Sequence, residues 1–371
     1  MTLRTGVDVR EWKRGRVTGI GRFLSSFVEW ANEHSEHDFL LFGNQRTAME
    51  VSGNRLRPRI LQERTRIVWD QWLLPRALRR EKVDVFLSPY YKMPLLAPCP
   101  AVIIVHDLIR LQLPEYRDSE PRLKSALRRL WMRMMIRRAS RIVTDSRYSR
   151  HDLAHSFDVP EESIDVVPIG LDTRFLSPPS ATTVQQARKR YGLPSRYVLY
   201  VGRYEPHKNV DSLVAAWAGL DPQLRSEFPL VLAGADAEKT GTATAGVIRP
   251  GFIEDCELPG VYAGAAAFAF PSRYEGFGLP PLEAMGSGVP VVCSNASSLP
   301  EVVGDDALLV APDDVSSWTR ALERVLTDTT LRHQLMERGG VRASRFKVEQ
   351  TAPALLSIIE SAARQTARRP L

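Results

Sequence analysis

One segment of the sequence decides the fold: FAFPSRYEGFGLPPLEAMG, residues 268–286. Its apolar start, which ends at Phe270, is typical of a buried strand. Gly276 and Gly278 follow, and glycine lets a loop adopt positive φ or approach a ligand closely. Pro280 and the proline after it stand where a helix best tolerates proline, in its first turn. The segment therefore predicts a strand, a glycine-rich loop and the amino terminus of a helix.

This arrangement is suited to binding an anion. The unpaired N–H groups at the start of the helix and the helix dipole both point toward the loop. Glu275 and Glu283 flank the same loop, so the segment also offers carboxylates to hydroxyl groups. A nucleotide-sugar has both phosphates and hydroxyls. The alternative is a glycine-rich turn with two surface glutamates and no ligand.

The segment resembles the E-x7-E motif of the retaining glycosyltransferases of family four. Glu275 and Glu283 have the spacing, the glycines lie between them, and Gly-Val-Pro-Val-Val follows at 288–292. The resemblance implies the α/β GT-B fold, with two Rossmann-like doubly wound domains facing a central cleft. It also implies that Glu275 contacts a hydroxyl of the donor sugar and that Glu283 contacts the ribose. The other donor-binding residues that it implies in this segment are Gly276, Phe277, Gly278 and Leu279.

Length and composition are those of a globular protein of two domains. The chain has 371 residues, of which 44% are hydrophobic, and no apolar run approaches the ~18 residues of a spanning helix. The amino terminus leads into a strand-like segment rather than a signal peptide. The three cysteines have no paired or metal-ligand spacing, which favours a reduced, cytoplasmic setting. A net charge of +7 and a pI near 9.4 favour a polyanionic neighbour.

Gly19 and Gly21 lie in the first loop of the chain. A Gly-x-Gly pattern after a strand is typical of dinucleotide binding, but Leu24 stands in place of the third glycine. The second strand then ends in Gly43-Asn44 rather than in an acid that could bind a ribose. The resemblance implies that the loop touches the donor phosphate or the acceptor, so Gly19 and Gly21 are candidate site residues. A tight turn without a ligand is the alternative.

His106 and Asp107 follow a predicted buried strand, residues 101–105. Polar residues at the carboxyl end of a parallel strand lie where open α/β sheets bind ligands. The resemblance implies a histidine here that reaches the donor sugar, often followed by Asp. A purely structural His–Asp pair is the alternative. The first half also shows strand patterns at 39–42, 67–69 and 83–88.

A strongly basic helix is predicted over residues 121–136. Leu123, Leu127, Leu130 and Met134 share one of its faces. The other faces carry Arg122, Lys124, Arg128, Arg129, Arg133, Arg137 and Arg138.

Clustered arginines gain ~1 kcal/mol each near an anionic leaflet. Arg122–Arg138 is therefore a candidate contact with the inner face of the membrane, and a solvated charged face is the alternative. Nucleic acid is not expected, because no aromatic stacking pattern accompanies the charge.

Arg203 and Lys208 lie five residues apart in the loop after the predicted strand 197–201. From this spacing both side chains can bend toward one point. Their Gly-Arg-x-x-x-x-Lys-Asn pattern is similar to that of the same family, in which the two cations bind the donor diphosphate. The resemblance also implies that the loop containing Ile253 and Cys256 packs on the nucleobase, largely through its backbone. A polar stretch, residues 235–246, precedes that loop.

The predicted domains follow from these motifs. Residues 1–174 form an acceptor-side Rossmann-like domain, and residues 175–345 form a nucleotide-sugar-binding one. Residues 346–371 contain an amphipathic helix that, in this fold, crosses back to the first domain. The connection at 175–183 is rich in proline and serine.

Charge balance indicates that no metal or other cofactor is needed. A nucleoside diphosphate leaving group carries about two to three negative charges, which fixed cations and dipoles must meet. Arg203 and Lys208 supply two charges, and the helix that begins near Pro280 adds about half a unit. That sum approaches neutrality, and the sequence has no Asp-x-Asp motif at a strand end.

The resemblance implies a retaining transfer by front-face attack, in which the departing phosphate takes the acceptor proton. A covalent intermediate on an enzyme carboxylate is the alternative. The residues with catalytic roles are then His106, Arg203, Lys208 and Glu275.

Three patterns of the first half are most similar to bacterial mannosyltransferases that build surface polysaccharides such as O-antigen. They are Gly-Val-Asp-x-Arg at 6–10, Thr-Gly-Ile-Gly-Arg at 18–22 and His-Asp-Leu at 106–108. GDP-mannose is therefore the expected donor, with a glycan or lipid-linked glycan as acceptor. The alternatives are a UDP- or dTDP-hexose donor, a phosphorylase or epimerase, and a non-catalytic binding module at an anionic membrane.

Overall fold

The computed structural model describes residues 2–13, 18–49, 52–234 and 244–366. Most of the polar stretch noted at 235–246 therefore lies outside the described residues. The chain divides into two compact units, of which the first comprises Met1–Gly170 and Val348–Leu371. The second unit is Leu171–Lys347. Each unit is built on one parallel sheet.

The sheet of the first unit has, within the described residues, the strand order β3-β2-β1-β4-β5-β6-β7. All neighbouring strands pair in parallel. The chain winds to one side of β1 and then, from β4 on, to the other, which is the doubly wound arrangement. The strands are Arg4–Asp8 (β1), Asp38–Gly43 (β2), Leu56–Ile60 (β3), Val85–Ser88 (β4), Ala101–Ile104 (β5), Arg141–Thr144 (β6) and Ile164–Val166 (β7).

Helices connect these strands, and a π-helical turn, Trp69–Leu73, lies among them. The first helix begins where Thr18 caps it by accepting a hydrogen bond from the amide of Gly21 at 3.0 Å. The helices are Gly19–His34 (α1), Arg66–Val68 (α2), Leu74–Arg80 (α3), Ile109–Gln112 (α4), Pro114–Arg117 (α5), Arg122–Arg138 (α6) and Arg147–Phe157 (α7).

The strand predicted at 67–69 is wrong, because these residues are helical. Trp69 is fully buried, with the guanidinium of Arg10 3.6 Å from its ring centre, whereas Ile67 is exposed. The third strand is instead β3, at the edge of the sheet. Arg57 is exposed, Arg59 is half-buried and pairs with Glu81, and an edge strand tolerates Pro58. An exposed edge strand of this kind lacks the apolar pattern by which strands are recognised.

The predicted basic helix is present as α6, but its leucine face does not pack on the core. The helix buries Met132, Met135 and Ile136 near its carboxyl end. Leu123, Leu127 and Leu130 are 73%, 57% and 55% exposed. Leucines as well as arginines are therefore exposed on the first half of α6.

The second unit has, in its described part, the strand order β10-β9-β8-β11-β12-β13, again entirely parallel. Its order reverses between β8 and β11, so both units have the predicted doubly wound α/β class. The strands are Val198–Val201 (β8), Leu230–Ala233 (β9), Val247–Gly251 (β10), Ala267–Phe270 (β11), Val291–Ser294 (β12) and Leu308–Val310 (β13). The helices are Ala181–Tyr191 (α8), Val210–Ala218 (α9), Pro222–Glu227 (α10), Leu258–Ala263 (α11), Leu279–Gly286 (α12), Leu299–Val303 (α13), Val315–Thr327 (α14) and Thr329–Ser344 (α15).

The last helix, Val348–Thr366 (α16), belongs to the first unit. It packs against α1 and against the sheet at β4 and β5. The imidazole of His37, just after α1, lies 3.0 Å from the carboxylate of Glu360 on α16. The first unit is therefore assembled from both ends of the chain.

Gly234 marks a close approach in the second unit. It follows β9 with a φ of 135°, and a Cβ there would lie 2.0 Å from the carbonyl oxygen of Gly202. Gly202 follows β8, so the two backbones touch at the edge of the sheet that carries the Arg203 loop. Only glycine fits at this position.

We expect Gly234→Ala to lower the free energy of unfolding by about 2 kcal/mol or more, because a strained φ adds to a backbone clash. Gly192→Ala is the matched control, since Gly192 also has positive φ but has open space around its Cβ position. That control should cost about 1 kcal/mol. Urea unfolding of both variants measures the difference, and equal losses would contradict the close approach.

Candidate active site

Three adjacent strands of the second unit end at one edge, and the loops after them carry the predicted site residues. Arg203 and Lys208 follow β8, and Glu275 follows β11, its hydrogen-bonded neighbour. Ser297 and Ser298 follow β12, the next strand. The site thus lies at the carboxyl edge where the strand order reverses, which is the ligand-binding position of doubly wound sheets.

Lys208 and Glu275 form an ion pair at this edge. The Lys208 Nζ lies 2.6 Å from the Glu275 Oε1 and 5.3 Å from the ring centre of Phe270. The two side chains are only 17% and 11% exposed, so water screens their attraction less than it does for a surface pair. A turn positions the lysine: Asn209 adopts a φ of 55° and its side-chain amide donates to the Pro312 carbonyl at 2.7 Å. The structure brings together two residues that are 67 positions apart in the sequence.

Arg203 is more accessible than Lys208. Its guanidinium lies 3.0 Å from the carboxylate of Glu205 in the same loop. Beneath it, the hydroxyl of Tyr200 donates to the Arg203 carbonyl at 3.1 Å. Burial raises the pKa of Tyr200 well above its usual range, and the carboxylates of Glu275 and Glu205 act in the same direction. The phenol therefore stays protonated and anchors the loop as a hydrogen-bond donor.

Two serines hold the backbone of the Glu275 loop. The Ser297 hydroxyl accepts the Glu275 amide at 2.8 Å. The Ser298 hydroxyl donates to the carbonyls of Glu275, at 3.0 Å, and Phe277, at 2.6 Å. Neither serine was predicted as a site residue from the sequence. Their signal was present, because they lie in the short loop after β12, the strand that neighbours β11.

The loop leads directly into α12. Gly276, Phe277 and Gly278 are buried, and Gly278 has a φ of 124°. The ring of Phe277 lies edge-on to that of Phe346, with centroids 5.7 Å apart. Leu279 begins the helix, and within the described residues no side chain caps its first turn. Pro280 and Pro281 have no N–H, so of the first three helical residues only Leu279 has an amide that another acceptor can use.

Glu283 lies in the interior of the second unit. It is 2% exposed, and the hydroxyl of Tyr262, on α11, donates to its Oε2 at 2.8 Å. The contact between Glu283 and a ribose stays a prediction.

The loop predicted to carry the nucleobase contacts lies between β10 and α11. Ile253 is buried in it and Cys256 is exposed. Arg174 holds the loop from below, with its guanidinium 2.5 Å from the carboxylate of Asp255 and 3.3 Å from the Asp255 carbonyl. Arg174 was missed because nothing in the sequence links it to a loop 81 residues away.

In the first unit, His106 pairs with Asp145 rather than with Asp107. Its Nδ1 lies 2.6 Å from the Asp145 Oδ2. Asp107 is exposed, and its carboxylate accepts the amide of Ile109 at 3.1 Å. Burial lowers the pKa of His106, but the carboxylates of Asp145 and Asp107 and the carbonyl of Pro89 together raise it above its usual value. His106 and Asp107 therefore do not form the structural His–Asp pair that was the alternative. His106 pairs instead with Asp145, which follows the neighbouring strand β6.

Gly19 and Gly21 occupy the first turn of α1. Gly19 is exposed and begins the helix, whereas Gly21 is buried. The carbonyl of Gly21 accepts the indole N–H of Trp12 at 3.2 Å. A Cβ at Gly21 would lie 3.2 Å from the Thr18 hydroxyl and 3.3 Å from the Glu11 carbonyl. Packing alone therefore accounts for this glycine, and its contact with a ligand stays a prediction.

Among residues 2–13, 18–49, 52–234 and 244–366, no group of three or more His, Cys, Asp or Glu side chains could hold a metal ion. In the same residues, no helix has both the length and the apolar character needed to cross a bilayer.

Family profiles match both halves of the chain. The profile of the group 1 glycosyl transferases matches residues 184–341, and that of glycosyltransferase family 4 matches residues 17–175. Fold and sequence together define a glycosyltransferase with the GT-B fold, and the chain belongs to family four. The predicted family, fold and enzyme class are confirmed.

Named relatives refine this assignment. The O-antigen chain mannosyltransferase B of Escherichia coli is 33% identical over 285 residues, which cover 74% of this chain and 73% of that protein. The serotype-specific mannosyltransferase WbdA of Escherichia coli is 30% identical over 269 residues. That match covers 69% of this chain but only 32% of WbdA.

The fold also matches a solved structure. HepE of Anabaena, crystallised with UDP and glucose, has a TM-score of 0.74 at 17% identity. The match covers 97% of this chain and 100% of that one. At this identity the likeness shows the fold.

Proposed function

We propose that this glycosyltransferase transfers mannose from GDP-mannose to a glycan or lipid-linked glycan, with retention of the anomeric configuration and without a metal. The observation that carries the proposal is the Lys208–Glu275 pair, shielded from water beside the start of α12. The mannosyltransferase names of the relatives support the sugar. A UDP- or dTDP-hexose is the second candidate donor, since HepE was crystallised with UDP and glucose.

The charges near β8 and β11 suit a diphosphate. Arg203 and Lys208 each pair with a carboxylate, Glu205 and Glu275 respectively. A diphosphate carries more charge than one carboxylate and competes for both cations. Once its lysine turns to phosphate, Glu275 is available to accept a hydrogen bond from a sugar hydroxyl. The amino-terminal end of the α12 dipole adds partial positive charge.

The transfer we propose needs no enzyme nucleophile. The bond between the anomeric carbon and the phosphate oxygen breaks while the acceptor oxygen attacks from the same face. The acceptor proton passes to the departing phosphate oxygen, which serves as the base. The protein contributes by stabilising the charge that develops on the diphosphate and by holding the reactants together.

We expect Lys208→Ala and Glu275→Ala each to lower kcat by about a hundredfold or more, a loss of ~2.7 kcal/mol of transition-state stabilisation. Steady-state kinetics with the donor identified below measures the effect. Lys189→Ala is the matched control, because Lys189 is an exposed lysine of the same unit, on α8.

Thermal unfolding of each variant separates lost catalysis from lost folding. A wild-type rate in either variant would contradict the catalytic role proposed for the substituted residue, Lys208 or Glu275. A glycosyl group trapped covalently on any Asp or Glu would instead contradict front-face attack.

The donor is identified by thermal shift. A ligand at a hundred times its dissociation constant stabilises the folded state by about 2.7 kcal/mol. We therefore expect GDP-mannose to raise the melting temperature more than UDP-glucose or dTDP-glucose at equal concentration. A larger shift with a UDP- or dTDP-sugar would replace the proposed donor, and no shift with any of them would contradict all three candidate donors.

We also propose that the first unit binds an anionic membrane through α6. This helix has no acidic residue between Arg122 and Arg138. Its exposed cations surround the leucine face formed by Leu123, Leu127 and Leu130. An apolar stripe flanked by arginines is the pattern of a helix that lies in a lipid interface.

A second exposed apolar segment adjoins α6. Trp72 in the π-helical turn and Leu96 in the loop after β4 are both exposed. The side chain of Gln71 accepts the Leu95 amide at 2.9 Å, and Arg138 at the end of α6 donates to the Leu95 carbonyl at 2.9 Å. The surface therefore extends beyond α6. Lipid fits it better than a second copy of the chain, because a two-fold contact would place arginines against arginines.

We expect Leu123→Ser with Leu127→Ser to weaken binding to phosphatidylglycerol-containing vesicles about tenfold or more, because two apolar side chains no longer enter the lipid. Co-sedimentation measures the binding, with phosphatidylcholine vesicles as the neutral comparison. Leu309→Ser with Val341→Ser is the matched control on exposed sites of the second unit. Equal binding to both lipids, or a dimer that only the first double variant dissociates, would overturn the lipid assignment.

A further inference from the structure

We propose that Asp145 is a positioning residue that fixes the orientation and charge of His106, so that the ring presents its Nε2–H to an oxygen of the bound substrate. This inference rests on the proposed function for its substrate, a sugar with hydroxyl and phosphate oxygens. It assigns a role to a residue that no motif of the chain indicates.

Strand register places the two side chains together. β5 and β6 are parallel neighbours in which Ile104 is opposite Val143. His106 and Asp145 each lie two residues further on, so they leave the sheet at the same level. The contact follows from the sheet itself and does not depend on a flexible loop.

The pair is short and shielded. Nδ1 of His106 lies 2.6 Å from Oδ2 of Asp145, and the two side chains are 11% and 2% exposed. A carboxylate this deeply buried needs a charged or hydrogen-bonded partner, and the imidazole supplies both. The bond at Nδ1 fixes which face of the ring turns outward and leaves Nε2 as the remaining ring nitrogen.

The Nε2 atom of His106 indicates where a ligand would bind. Nε2 of His106 is buried and forms no hydrogen bond of ordinary geometry in the part of the chain that the structure describes; the carbonyl of Pro89 acts on the ring but does not complete such a bond. A buried N–H without an acceptor is costly, and native proteins rarely leave one unless it serves a function. An oxygen of the substrate would complete it.

Several groups around His106 act on the pKa of its ring. The ring of Phe23 on α1 packs edge-on, with centroids 5.8 Å apart, and the Ser149 hydroxyl on α7 donates to the His106 carbonyl at 3.1 Å. Burial lowers the pKa of the ring, while the carboxylates of Asp145 and Asp107 and the carbonyl of Pro89 raise it. The net result is a raised pKa. His106 therefore keeps its proton to a higher pH than an ordinary histidine and loses it as pH rises through the raised pKa.

The experiment compares wild-type protein with Asp145→Asn. NMR titration of the His106 ring should give a pKa above the ordinary ~6.5 in the wild type and a value at least about one unit lower in the variant. The kcat/KM for transfer should fall at least about tenfold in Asp145→Asn, and its basic limb should move to lower pH. Glu360→Gln is the matched control, since it removes the acid from another His–acid pair of the same unit.

Either of two results would overturn the proposal: the same His106 titration in both proteins, or an unchanged pH profile of kcat/KM. Should Asp145→Asn not fold, the wild-type titration still decides, because loss of the His106 proton below ~6.5 contradicts the charge pairing. Wild-type protein that transfers no sugar would refute the proposed function alone, since the titration needs no substrate.

Discussion

The parallel pairing of β8 with β11 is the contact on which the site of the second unit depends. Ala267 lies opposite Val198 and Phe268 opposite Leu199, so the two strands end at nearly the same level. They are distant in sequence but adjacent in the sheet, because the strand order reverses between them. Loops that leave a sheet at such a point diverge and leave room for a ligand. The ion pair between Lys208 and Glu275 follows from this pairing.

Each cation of this edge is already matched by an acid. Lys208 is held by Glu275, and Arg203 by Glu205. Lys208 is largely buried, and a buried lysine without a partner would destabilise the fold. Glu275 therefore stabilises the folded protein by pairing with it. Because Lys208 is already paired with Glu275, a donor phosphate must displace this carboxylate in order to bind the lysine. Affinity for the donor is then set by the difference between two ion pairs, which makes it sensitive to the charge of the leaving group.

The sequence predicted those features that depend on local pattern. The strand–loop–helix segment at 268–286 and the Arg203–Lys208 loop are where their motifs placed them. Features that depend on contacts between distant strands were not predicted. Asp145 directly follows β6, but no local signal pairs it with His106, which is 39 residues away and is reached only through strand register. The neighbouring Asp107 was the candidate acid because adjacency in sequence is visible and adjacency in a sheet is not.

Exposure was the other property that pattern could not predict. β3 was missed because an edge strand with outward arginines lacks alternating apolar residues. The leucines of α6 form a regular stripe, yet the stripe does not pack on the core. Periodicity identifies an amphipathic helix but does not tell which partner its apolar face meets.

The last helix has a consequence for the order in which the protein is made. α16 completes a unit whose sheet is encoded almost two hundred residues earlier, and it covers α1 and the β4–β5 side of that sheet. During synthesis on the ribosome the second unit emerges as one uninterrupted stretch and can close first. The first unit must wait, with apolar surface uncovered, until translation reaches residue 348 and beyond. The nascent chain is therefore most in need of chaperone protection in its oldest part, not its newest.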